Sequence, residues 1–139
     1  MYSKLFLDTN ILVDIAAPNR PQHKEAAEML SLGVRAGCEF VASLSSIKDA
    51  YFILERHYAP NEAAARRAAR LLWSNMTMVE LTTEIVGSAF ESDEPDFEDA
   101  IVRISAEQAG CDAIVSRDAK AFTSSDLPRV EPKDIAFDR

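Results

Sequence analysis

Short apolar runs alternate with longer segments of helical periodicity along this chain, and that order admits few architectures. Leu5, Phe6 and Leu7 form one such run, and Ala113, Ile114 and Val115 another. Each reads as a strand buried on both faces. Strands over residues 4–8, 39–42, 78–81 and 112–116, with a fifth over 129–131, are separated by helical segments. Alternation of this kind predicts an α/β fold with a mostly parallel central sheet of four to five strands covered by helices on both faces.

The helical segments carry their own punctuation. Asn10 to Ile15 reads as a short helix stopped before Pro18. Pro21 to Ala36 reads as a helix with Ala26, Ala27, Leu30 and Val34 inward, closed by Gly37. Ser46 to Tyr58 repeats apolar residues at Ile47, Tyr51, Leu54 and Tyr58. Asn61 caps the next helix, whose apolar side reads as Ala64, Ala68, Leu71 and Leu72. Thr83 is expected to cap a helix to Phe90. Asp96 opens one that stops at Gly110, and Asp118 to Phe122 reads as a short helix.

The chain has 139 residues, enough to bury a sizeable core, and reads as a single domain over residues 1–139. No apolar run could span a bilayer and no secretory signal opens the chain, which places it in the cytoplasm. Cys38 and Cys111 are far apart without CxxC spacing, so buried reduced thiols are expected rather than a disulfide or zinc site. The net charge of −8 argues against a broad basic surface for duplex DNA. Glu91, Asp93, Glu94, Asp96, Glu98 and Asp99 crowd into nine residues, of which Glu91, Asp93 and Glu94 read as a solvated loop.

The candidate chemistry lies in aspartates placed at element boundaries. In an open α/β sheet the ligand crevice lies at the carboxyl ends of the strands. Asp8 ends the first strand and Asp118 follows the fourth. Asp96 and Asp99 open a helix, where Asp96 also reads as the N-cap of a capping box with Asp99 at its third position. Asp49 points off the apolar stripe of its helix, beside Ser46 and Ile53. Asp14 reads as structural or surface. Grouped, Asp8, Asp49, Asp99 and Asp118 are hard oxygen donors of the kind that hold Mg²⁺ or Mn²⁺. The grouping predicts Asp8, Asp99 and Asp118 within the span of one hydrated ion. Carboxylates so crowded raise one another's pKa values.

Strand-Asp8-Thr9-Asn10, the acid six residues after Ser43, the Asp96-Phe97-Glu98-Asp99-Ala100 helix start and Ile114-Val115-Ser116-Arg117-Asp118 together resemble the PIN domain. The resemblance covers essentially the whole chain; order and spacing carry it, since no one motif is specific. It implies a Rossmann-like three-layer α/β/α sandwich and a Mg²⁺- or Mn²⁺-dependent ribonuclease acting on single-stranded RNA. Stand-alone bacterial members are often toxins of toxin–antitoxin modules, which implies an antitoxin partner and a homodimer. By the resemblance Asp8, Asp49, Asp99 and Asp118 are catalytic, and Asp8, Asp99 and Asp118 hold the metal. Asn10 and Ser116 support them, and Asp96 is an accessory acid. Asp49 departs from the family's usual Glu and is one methylene shorter. That departure leaves open a second expectation, a PIN-fold binding module with weak or no activity.

Cations for an RNA backbone are sparse. Lys48, Arg117 and Lys120 are the candidate phosphate contacts. Arg66, by contrast, reads as paired to Glu62 one turn earlier on a solvated face. Phe52, Ile53 and Trp73 fall off the main apolar stripes, and a second chain is expected to cover part of them. A haloacid-dehalogenase-type phosphatase would need a second Asp where Asn10 stands. No clustered glycines suggest a phosphate loop, and Ser43, Ser45 and Ser46 lack a nucleophile elbow.

Overall fold

Every strand of this computed structural model, which describes residues 2–123 and 125–137, runs parallel to its neighbours. The order of elements is β1 (Lys4–Leu7), α1 (Thr9–Ala16), α2 (His23–Arg35), β2 (Glu39–Ser43), α3 (Leu44–His57), α4 (Glu62–Ser74), β3 (Thr77–Val79), α5 (Thr83–Phe90), α6 (Phe97–Gln108), β4 (Ala113–Val115) and β5 (Arg129–Val130). A 3₁₀ turn at Pro132–Asp134 follows. The strand order is β3-β2-β1-β4-β5. Direction of growth therefore reverses between β1 and β4, which makes their carboxyl ends the switch-point crevice.

The period of two along each strand sorts the core. Leu5, Leu7, Phe40, Ala42, Ala113 and Val115 face one side, where α1 to α4 pack. Phe6, Val41 and Ile114 face the other, against Ala106 of α6, Cys111, Ala121 and Phe122. Ile85 and Ala89 of α5 pack on Ala100 and Ile104 of α6. This is the expected three-layer sandwich, with strands apolar on both faces because neither face meets water. Cys38 and Cys111 are buried free thiols, and burial pushes them to about 11 and about 12.

Two helix faces differ from expectation by about one residue. In α2 the buried positions are Ala26, Met29 and Gly33, while Val34 is 60% exposed. Gly33 explains the rotation. A methyl group there would lie 2.3 Å from Phe40 Cζ, so the missing side chain lets α2 press close to the sheet. In α4 Ala65, Ala69 and Leu72 are buried and Leu71 is exposed. Small alanines set the close face, and the larger leucine stays outside.

The short helix expected over Asp118–Phe122 is a turn. Ala121 and Phe122 leave it to fill the face beneath α6, and Phe122 adopts φ 63°, a left-handed conformation unfavourable for an aromatic residue. The N-cap of α5 is Thr82, not Thr83, its hydroxyl accepting from the Ile85 N–H. Helix α3 starts two residues early because Ser43 caps it through the Ser45 N–H.

Candidate active site at the switch point

Asp8 follows β1 directly, and its backbone N–H donates to the Val115 carbonyl of β4 (3.1 Å), so the two strand ends are locked together. The Thr9 N–H donates to Asp8 Oδ1 (2.9 Å) and the Ser116 hydroxyl to Oδ2 (3.0 Å). The carboxylate plane is thereby fixed from both strands. Ser116 also accepts from the Asp118 N–H (3.2 Å), and Asp118 Oδ1 accepts from the Lys120 N–H (3.0 Å). One buried serine thus ties the first and fourth acids into a single turn.

Across the crevice, Asp96 caps α6 with its Oδ1 accepting from the Asp99 N–H (3.0 Å). The capping role expected for Asp96 is therefore real, and it leaves Asp99 at the start of the helix with its side chain free to face the crevice. Asp8, Asp49, Asp96, Asp99 and Asp118, with Asn10, line one pocket of about 660 Å³. Carboxylates gathered in one concavity make ionisation costlier, and the effect shows at Asp99 and Asp8. The Asp99 carboxyl is pushed up to about 6, by burial first and then by Asp96, Asp8, Asp118 and Glu94. Asp8 is raised by burial, with a contribution from Asp118, against the lowering effect of its Ser116 and Thr9 hydrogen bonds.

The donor set suits a hard divalent cation: all oxygen, several carboxylates, and a local excess of negative charge. It is not a ready-made cage. Among the described residues, no three His, Cys, Asp or Glu side chains converge as one ligand set. Asp8, Asp99 and Asp118 are not gathered into the expected one-ion ligand set. Both Asp8 oxygens and one Asp118 oxygen are held by local donors, while Asp118 lies exposed in its turn.

The three expected phosphate contacts are placed differently from one another. Lys48 lines the pocket and lies 3.6 Å from Asp49 Oδ1, both well exposed. It is the pocket's one lining cation among the described residues. Lys120 is exposed outside the lining. Arg117 turns away: its Nε donates to Asp14 Oδ2 at 2.9 Å and its Nη2 lies 2.8 Å from the same oxygen as an ion pair. Asp14 is 0% exposed and takes Arg20 Nε on its other oxygen at 2.6 Å. Arg20 Nη1 in turn donates to Tyr58 Oη (2.9 Å).

Glu94 also corrects the solvated-loop expectation. Its side chain is 1% exposed and lies 3.2 Å from Arg103 Nε, while Arg103 reaches Glu107 and the Ser92 hydroxyl. That ion pair anchors the α5–α6 loop beside Asp96. Arg66 pairs with Glu62 as expected (3.2 Å). Sequence reasoning set Ile53 beside Asp49 but missed the rest of the pocket's apolar lining, Leu81, Phe97, Ile101 and Val102. Phe97 sits inside the acidic motif that drew attention to its neighbours, and its exposed position in the first turn of α6 was the available signal.

The PIN domain family model matches residues 4–120. No curated protein matches the chain in sequence. Among solved structures, Mycobacterium tuberculosis VapC20, a Sarcin-Ricin loop cleaving toxin, is similar with a TM-score of 0.64 at 19% identity, over 79% of this chain and 86% of that one. VapBC2 from Rickettsia felis, bound to a DNA fragment from its promoter, is similar with a TM-score of 0.68 at 12% identity, over 92% and 98%. FitAB bound to IR36 DNA gives a TM-score of 0.66 at 15% identity, over 97% and 99%. At these identities the likeness is one of fold. The family match spans most of the chain and includes Asp8, Asp49, Asp99 and Asp118: the chain belongs to the PIN domain family.

Proposed function

We propose that this protein is a divalent-metal-dependent endonuclease of single-stranded RNA and the toxin component of a toxin–antitoxin pair. The observation that carries the proposal is that Asp8, Asp49, Asp99 and Asp118, from four separate parts of the chain, line one pocket at the β1/β4 switch point. Asp8, Asp99 and Asp118 would hold Mg²⁺ or Mn²⁺. When bound, the ion supplies a water of lowered pKa and positive charge for the phosphodiester oxygens.

The chain's own residues do the rest. Ser116 and the Thr9 N–H orient the Asp8 carboxylate. Asp96 fixes the start of α6 and so the direction of Asp99. Lys48 meets the phosphate backbone. Arg117 is committed to Asp14 and supports the turn carrying Asp118 instead of contacting substrate. Asn10 stands beside Asp8 in a supporting place.

The toxin assignment is supported by family membership and by the toxin named among the similar structures. Partners on this reading are an antitoxin and a second copy of the chain. Exposed Phe52, Leu71 and Trp73 (52% exposed) supply apolar surface for such contacts. The whole chain, residues 1–139, acts as one domain, in the cytoplasm. No helix among the described residues is long and apolar enough to cross a membrane.

One observation favours a second reading, a PIN-fold binding module of little activity. Asp49 is short for its place, half exposed and engaged with Lys48. Incubating the purified protein with a single-stranded RNA and Mn²⁺, with and without chelator, separates the two. Chelator-sensitive cleavage is expected, and binding without cleavage would establish the second reading.

A further inference from the structure

The pocket is larger than its acids require. A metal ion with six waters fills roughly 200 Å³ at about 30 Å³ per water, against about 660 Å³ in the structure. The pocket's lining also includes the apolar side chains Ile53, Leu81, Phe97, Ile101 and Val102. Among them Phe97 lies in the first turn of α6, one residue from Asp96 and two from Asp99. Its ring is stacked on that of Phe90 at the end of α5, with centroids 4.8 Å apart and planes 25° apart. Both rings remain open to solvent, Phe90 at 70% and Phe97 at 42% exposure. Leaving two phenyl rings wet is costly, and the pair does not gain the burial that would justify it as core. What it has is a fixed orientation beside a carboxylate cluster.

We infer that the Phe97–Phe90 pair is a nucleobase subsite, on which one base of a single-stranded RNA stacks while its phosphate lies toward the acids. The inference rests on the proposed nuclease function and extends it to how substrate is held. Three observations support this occupant. Phe97 lines the same pocket as the acids, so its ring is within the space a ligand bound at them occupies. The pocket has one lysine against five aspartates and Glu98, so a contact that does not depend on charge adds to what that lysine and a bound ion offer an RNA backbone. The ring is already positioned by Phe90, so little ordering is lost when a base lies on it. A base can reach such a ring only when out of a duplex, which selects single strands.

The test uses the full chain, a fluorescently labelled single-stranded RNA dodecamer, a duplex of the same sequence, and a dodecamer carrying 2-aminopurine. Phe97→Leu should weaken single-strand binding about tenfold, raise the KM for cleavage and abolish quenching of 2-aminopurine. Phe97→Trp should restore all three. Phe90→Leu should give a smaller loss in the same direction. No charge is removed, so the salt dependence of binding should keep its slope. Unchanged binding and KM in Phe97→Leu, with the parent active, would overturn the subsite and leave the nuclease reading standing. Failure of the Trp variant to restore binding would also overturn it. Sedimentation of parent and variants gives a further outcome: if Phe97→Leu turns a dimer into a monomer and RNA affinity is unaltered, the rings are a contact between copies. A parent that neither binds nor cleaves RNA would remove both readings.

Discussion

Replacing Asp14 by Asn should be the most damaging isosteric change in the protein. Asp14 is fully buried and receives Arg20 on one oxygen and Arg117 on the other, at 2.6 to 2.9 Å. The amide keeps one accepting oxygen, turns the other into a donor and removes the negative charge. Two guanidiniums are then left facing each other across a neutral group. Removing one partner of a buried pair costs about 3–5 kcal/mol. Both arginines are partly exposed and can recover some hydration, which lowers the expected loss to about 2–4 kcal/mol. At roughly 3 °C per kcal/mol for a chain of this size, the melting temperature should fall by roughly 6–12 °C. Urea unfolding followed by far-UV circular dichroism at neutral pH measures it, and the m-value should be unchanged. Arg20→Met or Arg117→Met should each cost less, because the carboxylate retains the other cation. A loss below about 1 kcal/mol for Asp14→Asn would refute the reasoning, since it would mean the two cations do not depend on this carboxylate.

Asp99 gives a prediction with the opposite sign. Its carboxyl is raised from 3.8 to about 6 in the fold, so between those pH values the folded chain holds more protons than the unfolded one. Stability therefore falls as pH rises from about 4 to about 6, and the penalty is fully present at pH 7. A shift of this size is worth roughly 3 kcal/mol undiscounted, and solvent screening of a partly buried carboxyl brings it to about 1–2 kcal/mol. With chelator present, Asp99→Asn should be more stable than the parent by that amount at pH 7 and no more stable near pH 4; thermal melts at the two pH values compare them. Gly33→Ala should destabilise by about 1–3 kcal/mol because the new methyl meets the Phe40 ring, and melting of this variant beside Gly37→Ala separates collision from backbone strain.

Much of the fold was legible because parallel strands buried on both faces announce themselves. Leu5–Leu7 and Ala113–Val115 are unbroken apolar runs, and each leads into a turn bearing an acid. The grouping of Asp8, Asp49, Asp99 and Asp118 followed from element order together with the family resemblance. What stayed hidden depended on partners distant in sequence. Arg117 looks like a phosphate contact beside Asp118 until the fold delivers Asp14, 103 residues earlier, to its guanidinium. Glu94 looks like one more solvated acid until Arg103 covers it. The inward faces of α2 and α4 were misjudged by about one residue because their contact points are Gly33 and alanines, which carry little hydrophobic signal. The Asp118–Phe122 segment has helix-compatible residues, but burial of Phe122 under α6 outweighs that preference.

On the proposed function, the pocket at the ends of β1 and β4 cleaves RNA through its carboxylates. The direct measurement is cleavage of a labelled single-stranded RNA in Mn²⁺ by the parent and by Asp8→Asn, with circular dichroism spectra of both. Asp8→Asn keeps the size of the side chain; its oxygen can still accept from the Thr9 N–H and its amide can donate to the Ser116 hydroxyl, so the fold should be unchanged. Cleavage should drop by at least about a hundredfold, about 2.7 kcal/mol of lost transition-state stabilisation. A folded Asp8→Asn protein that cleaves at the parent's rate would contradict the account.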